Sequence, residues 1–575
     1  MGILGARPPA RQGLEEAPRV PVDASTLRVI PLGGLGAIGR NMTVIEYGDA
    51  MVVVDAGLMF PDEDMLGIDL VLPDFRYVLE QRDRVLAVLL THGHEDHVGA
   101  LPYLLRQLPD LPVYGTRLTL GLVNGKLGEH GLQGRVVTHE IEAGDRLTLG
   151  PFEVEFLQVC HSIPDGVALA IHTPLGVVVH SGDFKLDQTP VDCRVTALPR
   201  FGELGQEGVL VLLSDSTNAG TPGFTEPERT VGSNLESIFA QAPGRIIVAS
   251  FASHIHRIQQ IFNTAAQFGR SVAVVGRSMT KNVNIASNLG YLDIPPGTLI
   301  RPSDIAEIPA DRLCIICTGS QGEPMSALAR MAAHDHHLLH VEPGDTVVIS
   351  AKPVPGNETS VSRTINRLFQ AGADVVYGPT AHVHVSGHAA AEELKMLLNL
   401  VRPRYFIPVH GEYRHLHYHA RLAASTGVPD ENIFIMENGD VLEIDQQGAR
   451  LGERVQAGMV FVDGLAIGDF RDVVLRDRHH LATDGIVIVV VTVRTQDAAL
   501  ATEPEIVFRG FVHAGDLDEL AEAARARVVA ALHGDELQHV TDSSILKAHV
   551  HDALQRFLYK ETRRRPMVMP VIVEV

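Results

Sequence analysis

The stretch THGHEDHVGA, residues 91–100, decides the fold. Four side chains able to bind a metal, His92, His94, Asp96 and His97, fall within six positions there. They follow the apolar run VLAVLL (85–90), which reads as a buried strand, and precede a helical pattern from Val98 to Gln107. Alternate side chains of a strand share one face, so His92 and His94 converge on one ion. The turn into the helix then brings Asp96 and His97 round from another direction, where they suit a second ion. Two surface histidines and an aspartate helix cap would not call for H-x-H-x-D-H at a strand end.

Further along, His161 in CHSIPD (160–165) and Asp183 in SGDFK (181–185) each close a β-run and begin a loop. Two ions about 3.5–4 Å apart need a bridging carboxylate, and Asp183 has the right setting. His410, at the end of YFIPVH (405–410), is the best candidate to complete the second ion. The expected arrangement is one ion on His92, His94 and His161, another on Asp96, His97 and His410, with Asp183 shared. Imidazole and carboxylate without thiolate suit two Zn²⁺ or Mn²⁺ per chain. Such ions bring a shared water to lose a proton near neutral pH and become a nucleophile.

A chain of 575 residues predicts two or three domains. A net charge of −22 argues against a protein that coats nucleic acid, but not against a nuclease whose positive potential is local and partly supplied by metals. Four cysteines in this length are no disulfide framework, and a reducing, cytoplasmic setting is expected. Cys314 and Cys317 read as core thiols. The longest apolar runs fall short of the ~20 residues of a membrane span, so no membrane role is expected. Residues 1–27 read as a disordered tail.

Gly34, Gly36 and Gly39 spell G-x-G-x-x-G after a strand, with Asp55 further on, and so imitate a dinucleotide fingerprint. That fingerprint must open a helix, whereas Asn41–Tyr47 alternates as a strand, so a turn is expected instead. Short strands run to about residue 221, and 222–377 alternates strand and helix, which predicts a parallel sheet with covering helices. Ligand-type residues resume at His382. The domains therefore read as 28–221 with 378–463, an insertion at 222–377, a linker at 464–484 and a small α/β domain at 485–575. The clusters His334, His336, His337 and His415, His417, His419 read as solvated faces.

His92–His97, His161 and Asp183 resemble the motifs of the metallo-β-lactamase superfamily. SDSTNA (214–219), HVSGHA (384–389) and PVHGE (408–412) resemble the further motifs of the β-CASP nucleases. Together with LGGLGAIGRN (32–41), FPDEDMLGIDLVLPD (60–74), FASHIHRIQQ (251–260), CTGSQGEP (317–324) and RRRPMVMPVIVEV (563–575), the chain looks like bacterial ribonuclease J from Ile30 to its end.

The resemblance implies a mixed α/β fold: an αββα sandwich interrupted by a β-CASP domain, then a small C-terminal domain. It implies a 5′-to-3′ exoribonuclease preferring single-stranded RNA with a 5′-monophosphate, with endonuclease activity as well, working in RNA processing and decay. Carried over by motif, Asp215 would donate a proton to the leaving oxygen, His388 would be its acid/base partner, and Asp183 would join them in catalysis. Substrate would lie on Ala252, Ser253 and His254, before a helix whose N-terminus can face phosphate. It would also lie on His384, Val385, Ser386, Gly387 and His388, where Ser386 and Gly387 are expected to open the next helix. Gly67, Asp69 and Asp463 resemble positions where some relatives bind a further Mn²⁺ or Ca²⁺. A homodimer or homotetramer, with partners in an RNA-degradation complex, is also implied.

Three competing readings remain distinguishable. A small-molecule hydrolase with the same metals would need neither the insertion nor Asp215. A DNA-specific relative is disfavoured by His410 and the ribonuclease J signatures. A non-catalytic RNA-binding scaffold would have lost ligands, and would purify without two ions.

Overall fold

The computed structural model describes residues 25–62, 64–323, 325–354, 357–378, 381–464, 466–468, 474–494, 499–511, 517–533 and 543–575. Two compact units divide the chain: one within Met1–Met59 and Leu72–Met459, the other within Phe60–Val71 and Val460–Val575. Nearly all of the expected tail lies outside the described residues.

The larger unit is built on two facing sheets. An eight-stranded sheet contains the strands Leu27–Gly33, Met42–Tyr47, Ala50–Val54 and Val85–Leu89, and a six-stranded sheet contains Phe152–Gln158, Val167–Thr173, Gly176–His180, Val209–Asp215 and Tyr405–Val409. Apolar residues at alternate positions of both, such as Val52, Val54 and Leu89 against Leu169, Val178, Val211 and Ile407, form one buried core between them. The second sheet's other face is covered by Phe201 and Leu204 of the helix Leu198–Glu207 and by Leu394, Leu397 and Val401 of the helix Ala391–Val401. The strands Val85–Leu89, Val209–Asp215 and Tyr405–Val409 are buried or nearly so and end at His92–His97, Asp215 and His410.

Between the strand Val209–Asp215 and the strand Tyr405–Val409, the chain leaves the sandwich to make a six-stranded, wholly parallel sheet. Its central strands Ile246–Ala249 and Leu313–Cys317 are buried along their length, and Cys314 and Cys317 are free core thiols. The loop of Gly34, Gly36 and Gly39 joins two antiparallel strands and opens no helix; all three glycines have positive φ. A Cβ on Gly36 would lie 2.8 Å from the ring of Tyr413, so the loop can reach Gly411, beside His410, only as glycine.

In the smaller unit, a three-stranded sheet carries the strand Ile486–Val493 between Glu505–Arg509 and Met567–Glu574. The helices Leu517–Leu532 and Ser543–Thr562 bury Val528, Val550 and Leu554 against Val487, Val489 and Val491. The stretch 464–484, expected as a linker, instead contains the strand Ala466–Gly468 and the helix Val474–Asp484. Its charged composition hid the helix, none of whose residues is buried.

Candidate metal centre

His92 and His94 leave the end of the strand Val85–Leu89, and His161 lies in the loop after Phe152–Gln158. Nδ1 of His94 is 3.0 Å from Nε2 of His92 and 3.2 Å from Nε2 of His161. Burial pushes all three imidazoles down, His94 to about 4, and neighbouring imidazoles add to the effect for His92 and His161. Three neutral rings thus aim nitrogen lone pairs at one point. The carbonyl of Gly387 accepts from Nδ1 of His161 at 2.8 Å and so directs Nε2 inward. A Cβ on Gly387 would lie 2.7 Å from that ring.

Asp96, His97, Asp183 and His410 form a second group whose ligand atoms all lie within 4.8 Å of one another. Oδ2 of Asp183 is 3.2 Å from Nε2 of His97, 3.8 Å from Nε2 of His92 and 3.9 Å from Nε2 of His161, which places this one oxygen between the groups. His410 turns Nε2 to Asp96 at 3.1 Å and Nδ1 to the Thr217 hydroxyl at 2.8 Å. Burial opposes the charge on His97, but Asp183, Asp96 and Asp55 outweigh it and hold this imidazole well above its usual range. His410 is likewise raised to about 10 against its burial, chiefly by Asp183. Conversely, His410 and His97 overcome burial to hold the Asp183 carboxyl well below its usual range. A divalent cation competes with the protons of His97 and His410.

Two residues at the centre, Asp55 and His410, have left-handed backbones with φ of 59° and 54°. Such conformations cost on the order of 1–3 kcal/mol and persist where surrounding structure fixes them. Asp55 accepts from the Thr91 amide and hydroxyl, both at 2.8 Å, and its Oδ2 lies 2.7 Å from Nδ1 of His97. This fixes the His97 ring so that Nε2 faces Asp183.

Beside the second group, Nδ1 of His388 lies 2.7 Å from Oδ2 of Asp215. Oδ1 of Asp215 accepts from the Thr217 amide at 2.9 Å and hydroxyl at 2.7 Å. Burial opposes charge on both partners, yet each holds the other charged: His388 is raised and Asp215 lies below the usual carboxylate range. The proton of the pair therefore resides on His388.

Family models match in four places. They are "Metallo-beta-lactamase superfamily" at 35–215, "Ribonuclease J, beta-CASP domain" at 243–368, "Zn-dependent metallo-hydrolase RNA specificity domain" at 373–436 and "Ribonuclease J C-terminal domain" at 473–575. Ribonuclease J 1 of Streptococcus pyogenes is 45 % identical over 95 % of this chain and 97 % of its own. Ribonuclease J2 of Bacillus subtilis is 43 % identical over 96 % and 99 %. Ribonuclease J of Thermus thermophilus is 43 % identical over 95 % of each. The chain belongs to the ribonuclease J family. A protein of unknown function from Enterococcus faecalis V583, 16 % identical with a TM-score of 0.52 over 72 % of this chain and 99 % of its own, shares the fold. Membership makes this a metal-dependent ribonuclease, with a β-CASP domain inserted in a metallo-β-lactamase domain.

Several expected substrate residues of this ribonuclease J relative take unexpected positions. His254 is buried and caps its own helix, Ile255–Gln267, with Nδ1 accepting from the Arg257 amide at 3.3 Å. Ala252 and Ser253 are left part-exposed at that helix start. Val385 belongs to the apolar core. Ser386 and Gly387 do not open a helix, because the next one begins at Ala391. Ser386 is instead held by the Asn218 amide, which donates to its hydroxyl at 2.8 Å and to the His388 carbonyl at 3.0 Å. Nδ1 of His384 is buried without a hydrogen-bond partner among the described residues.

The extra-cation reading meets a competing charge. In the smaller unit the Arg478 guanidinium pairs with Asp463 and donates to the Leu66 carbonyl at 3.0 Å, and a Cβ on Gly67 would lie 2.6 Å from it. Asp69 accepts from the Gly464 amide at 2.7 Å. An arginine thus provides the positive charge there. His419 is no solvated face either: it is fully buried against Phe406, with Nδ1 3.0 Å from the Ser216 hydroxyl, and His336 is buried too.

Sequence reading also missed Asp55 and Thr217 as groups that orient ligands. In the sequence Asp55 stands out only within the dinucleotide look-alike, although an aspartate closing the strand next to the one bearing His92 is the available signal.

Proposed function

We propose that this ribonuclease trims RNA from a 5′-monophosphate end, 5′ to 3′, and also cuts internally, using two Zn²⁺ or Mn²⁺ in the cradle of His92, His94, Asp96, His97, His161, Asp183 and His410. The observation that carries this is the single Asp183 oxygen standing between a three-histidine group and an Asp/His group, beside the His388–Asp215 pair. The donor set fits divalent ions: nitrogen and carboxylate only, converging, mostly buried, and oriented by Asp55, Gly387 and Thr217. Bound there, such ions would lower the pKa of a shared water and neutralise the scissile phosphate.

The chain's own groups supply the rest. We assign the proton donor to His388, 20 % exposed, rather than to Asp215 as the motif resemblance implied: its imidazole is raised and the Asp215 carboxyl lowered, so His388 would protonate the 3′ oxygen as the P–O3′ bond breaks, with Asp215 stabilising the charge. The Ser386 hydroxyl, Ser253 and the part-exposed His384 side chain are the groups we assign to the terminal phosphate, about one nucleotide from the ions. Stepwise release of mononucleotides follows from that spacing. We further propose a cytoplasmic enzyme acting in rRNA processing and mRNA decay as a homodimer or homotetramer, with partners in an RNA-degradation complex. All four cysteines are free, in keeping with that setting. No helix among the described residues is long and apolar enough to cross a membrane. The strand Met567–Glu574 exposes Met569, Val571 and Val573 on alternate positions, as a self-associating surface would.

The test is digestion of RNA carrying a 5′-monophosphate, 5′-triphosphate or 5′-hydroxyl, with Zn²⁺ or Mn²⁺, beside Asp183→Ala and Ser386→Ala. The monophosphate should be preferred, Asp183→Ala should be inactive, and Ser386→Ala should lose the end preference. Identical product ladders from all three ends would refute the pocket, and full activity in chelator would refute the mechanism.

A further inference from the structure

Glu393 is fully buried, and among the described residues it makes no ion pair. Its carboxylate is compensated by backbone amides alone, drawn from three separate parts of the chain. Oε2 accepts from Ala390 at 2.8 Å, which is the local bond by which a glutamate at the third helical position caps its own helix. Helix capping accounts for nothing more. Oε1 accepts from the Leu186 amide at 2.7 Å, and Oε2 also accepts from the Thr225 amide at 2.7 Å. A carboxylate taken from water to serve two remote loops implies that their relative position matters.

Each of the three amides adjoins a reacting group. Leu186 stands three residues after Asp183, on the same loop, and Ala390 stands two after His388. Thr225 sends its hydroxyl to the His388 carbonyl at 2.7 Å. His388 is thus gripped from both directions by segments that Glu393 ties together. The same oxygen pair reaches the loop of Asp183, whose Oδ2 lies 3.9 Å from Nδ1 of His388.

We propose that Glu393 is a positioning residue for hydrolysis: by fastening the loops of Leu186, Thr225 and Ala390 to one point, it sets the spacing between Asp183 and His388. The inference rests on the reading that those two groups act on the phosphodiester. A shift of about 1 Å in such a pair is enough to cost on the order of 100-fold in rate. The glutamine isostere keeps the volume but turns an N–H₂ group toward amides that need an acceptor.

The experiment compares wild type, Glu393→Gln, Thr225→Val, Thr225→Ser, the double variant Glu393→Gln/Thr225→Val, and His388→Ala, all as full chains. It measures kcat and KM on 5′-monophosphorylated RNA, bound metal per chain, and melting temperature. Glu393→Gln should lower kcat on the order of 10- to 100-fold with KM and metal content little changed. Thr225→Val, which keeps the amide but removes the bond to the His388 carbonyl, should lower kcat in the same way, and Thr225→Ser should restore it. The double variant should lose less than the product of the two single losses, because both act on one spacing. If Glu393→Gln does not fold, the Thr225 pair decides alone. Wild-type kcat in folded, metal-loaded Glu393→Gln or in Thr225→Val, with His388→Ala inactive, overturns the positioning role. Wild-type kcat in His388→Ala overturns the underlying mechanism instead.

Discussion

At the scale of single residues, the imidazoles of the centre are held in place by groups outside the cradle itself. Asp55 lies 2.7 Å from Nδ1 of His97 and is itself fixed by the amide and hydroxyl of Thr91. Replacing it with asparagine should weaken metal affinity about 10- to 100-fold, because the amide no longer favours the ligand tautomer. Titration of the chelated protein with Zn²⁺ or Mn²⁺ checks this; unchanged affinity would mean that the His97 ring is held by other contacts.

The same neighbourhood fixes a pH dependence. His97 is held well above its usual range and His410 near 10, so both carry protons at pH 7 until a cation takes their place. Metal loading should therefore release at least two protons per chain, with a further one as the shared water ionises, and affinity should rise with pH. Calorimetric titrations in buffers of different ionisation enthalpy measure that release. In chelator the sign reverses for stability. A histidine raised by its carboxylate partners stabilises the fold fully below its unfolded value of about 6.5, and that contribution fades as pH climbs through the folded value. Melting temperature in chelator should accordingly lose the His410 contribution between about pH 7 and 10, and the His97 contribution as pH climbs through that group's own raised value.

At the scale of elements, a buried arginine ties the inserted domain to the segment that leads into His384. Arg257, on the helix Ile255–Gln267, is fully buried and donates to both oxygens of Glu228 at 2.6 and 3.0 Å and to the Val383 carbonyl at 2.8 Å. Arg257→Met would leave the Glu228 charge buried without its partner, at a cost of about 3–5 kcal/mol. Arg257→Met/Glu228→Gln should recover part of that loss, and denaturant unfolding of both variants checks the difference.

Such fastenings also mark the limit of what the sequence disclosed. His92, His94, His161, Asp183 and His410 were legible because each ends a strand, where alternation and chain direction say where a side chain must go. The sheets and the insertion were legible for the same reason of period. Arg257 with Glu228, and Glu393 with Leu186 and Thr225, pair across separations of 29, 207 and 168 residues and follow no period. Ser386 and Gly387 look like helix-opening residues, yet the helix start is set further on by Glu393 and Ala390. A glutamate inside AAAEEL reads locally as surface, and only the three amides around it show otherwise.

At the scale of the whole molecule, a net charge of −22 must act on a polyanion. A protein that grips RNA with a basic groove releases counterions for every phosphate it neutralises, and its affinity falls steeply with salt. Six to ten such contacts lose about 10³- to 10⁵-fold between 50 and 200 mM. In this chain the groups assigned to the RNA are hydroxyls, the imidazoles of His384 and His388 and the cations in the cradle; burial holds His384 down to about 3, so it adds no charge, and Asp215 offsets the charge of His388. The long-range field of the protein repels RNA, and monovalent salt screens that repulsion. With Zn²⁺ or Mn²⁺ held constant, KM for a 5′-monophosphorylated RNA should therefore change less than about tenfold over the same salt range, whereas chelation should abolish turnover at every salt concentration. A loss of several hundredfold in affinity with salt would require a cationic track along the surface that these groups do not supply, and would move RNA recognition away from the metal cradle.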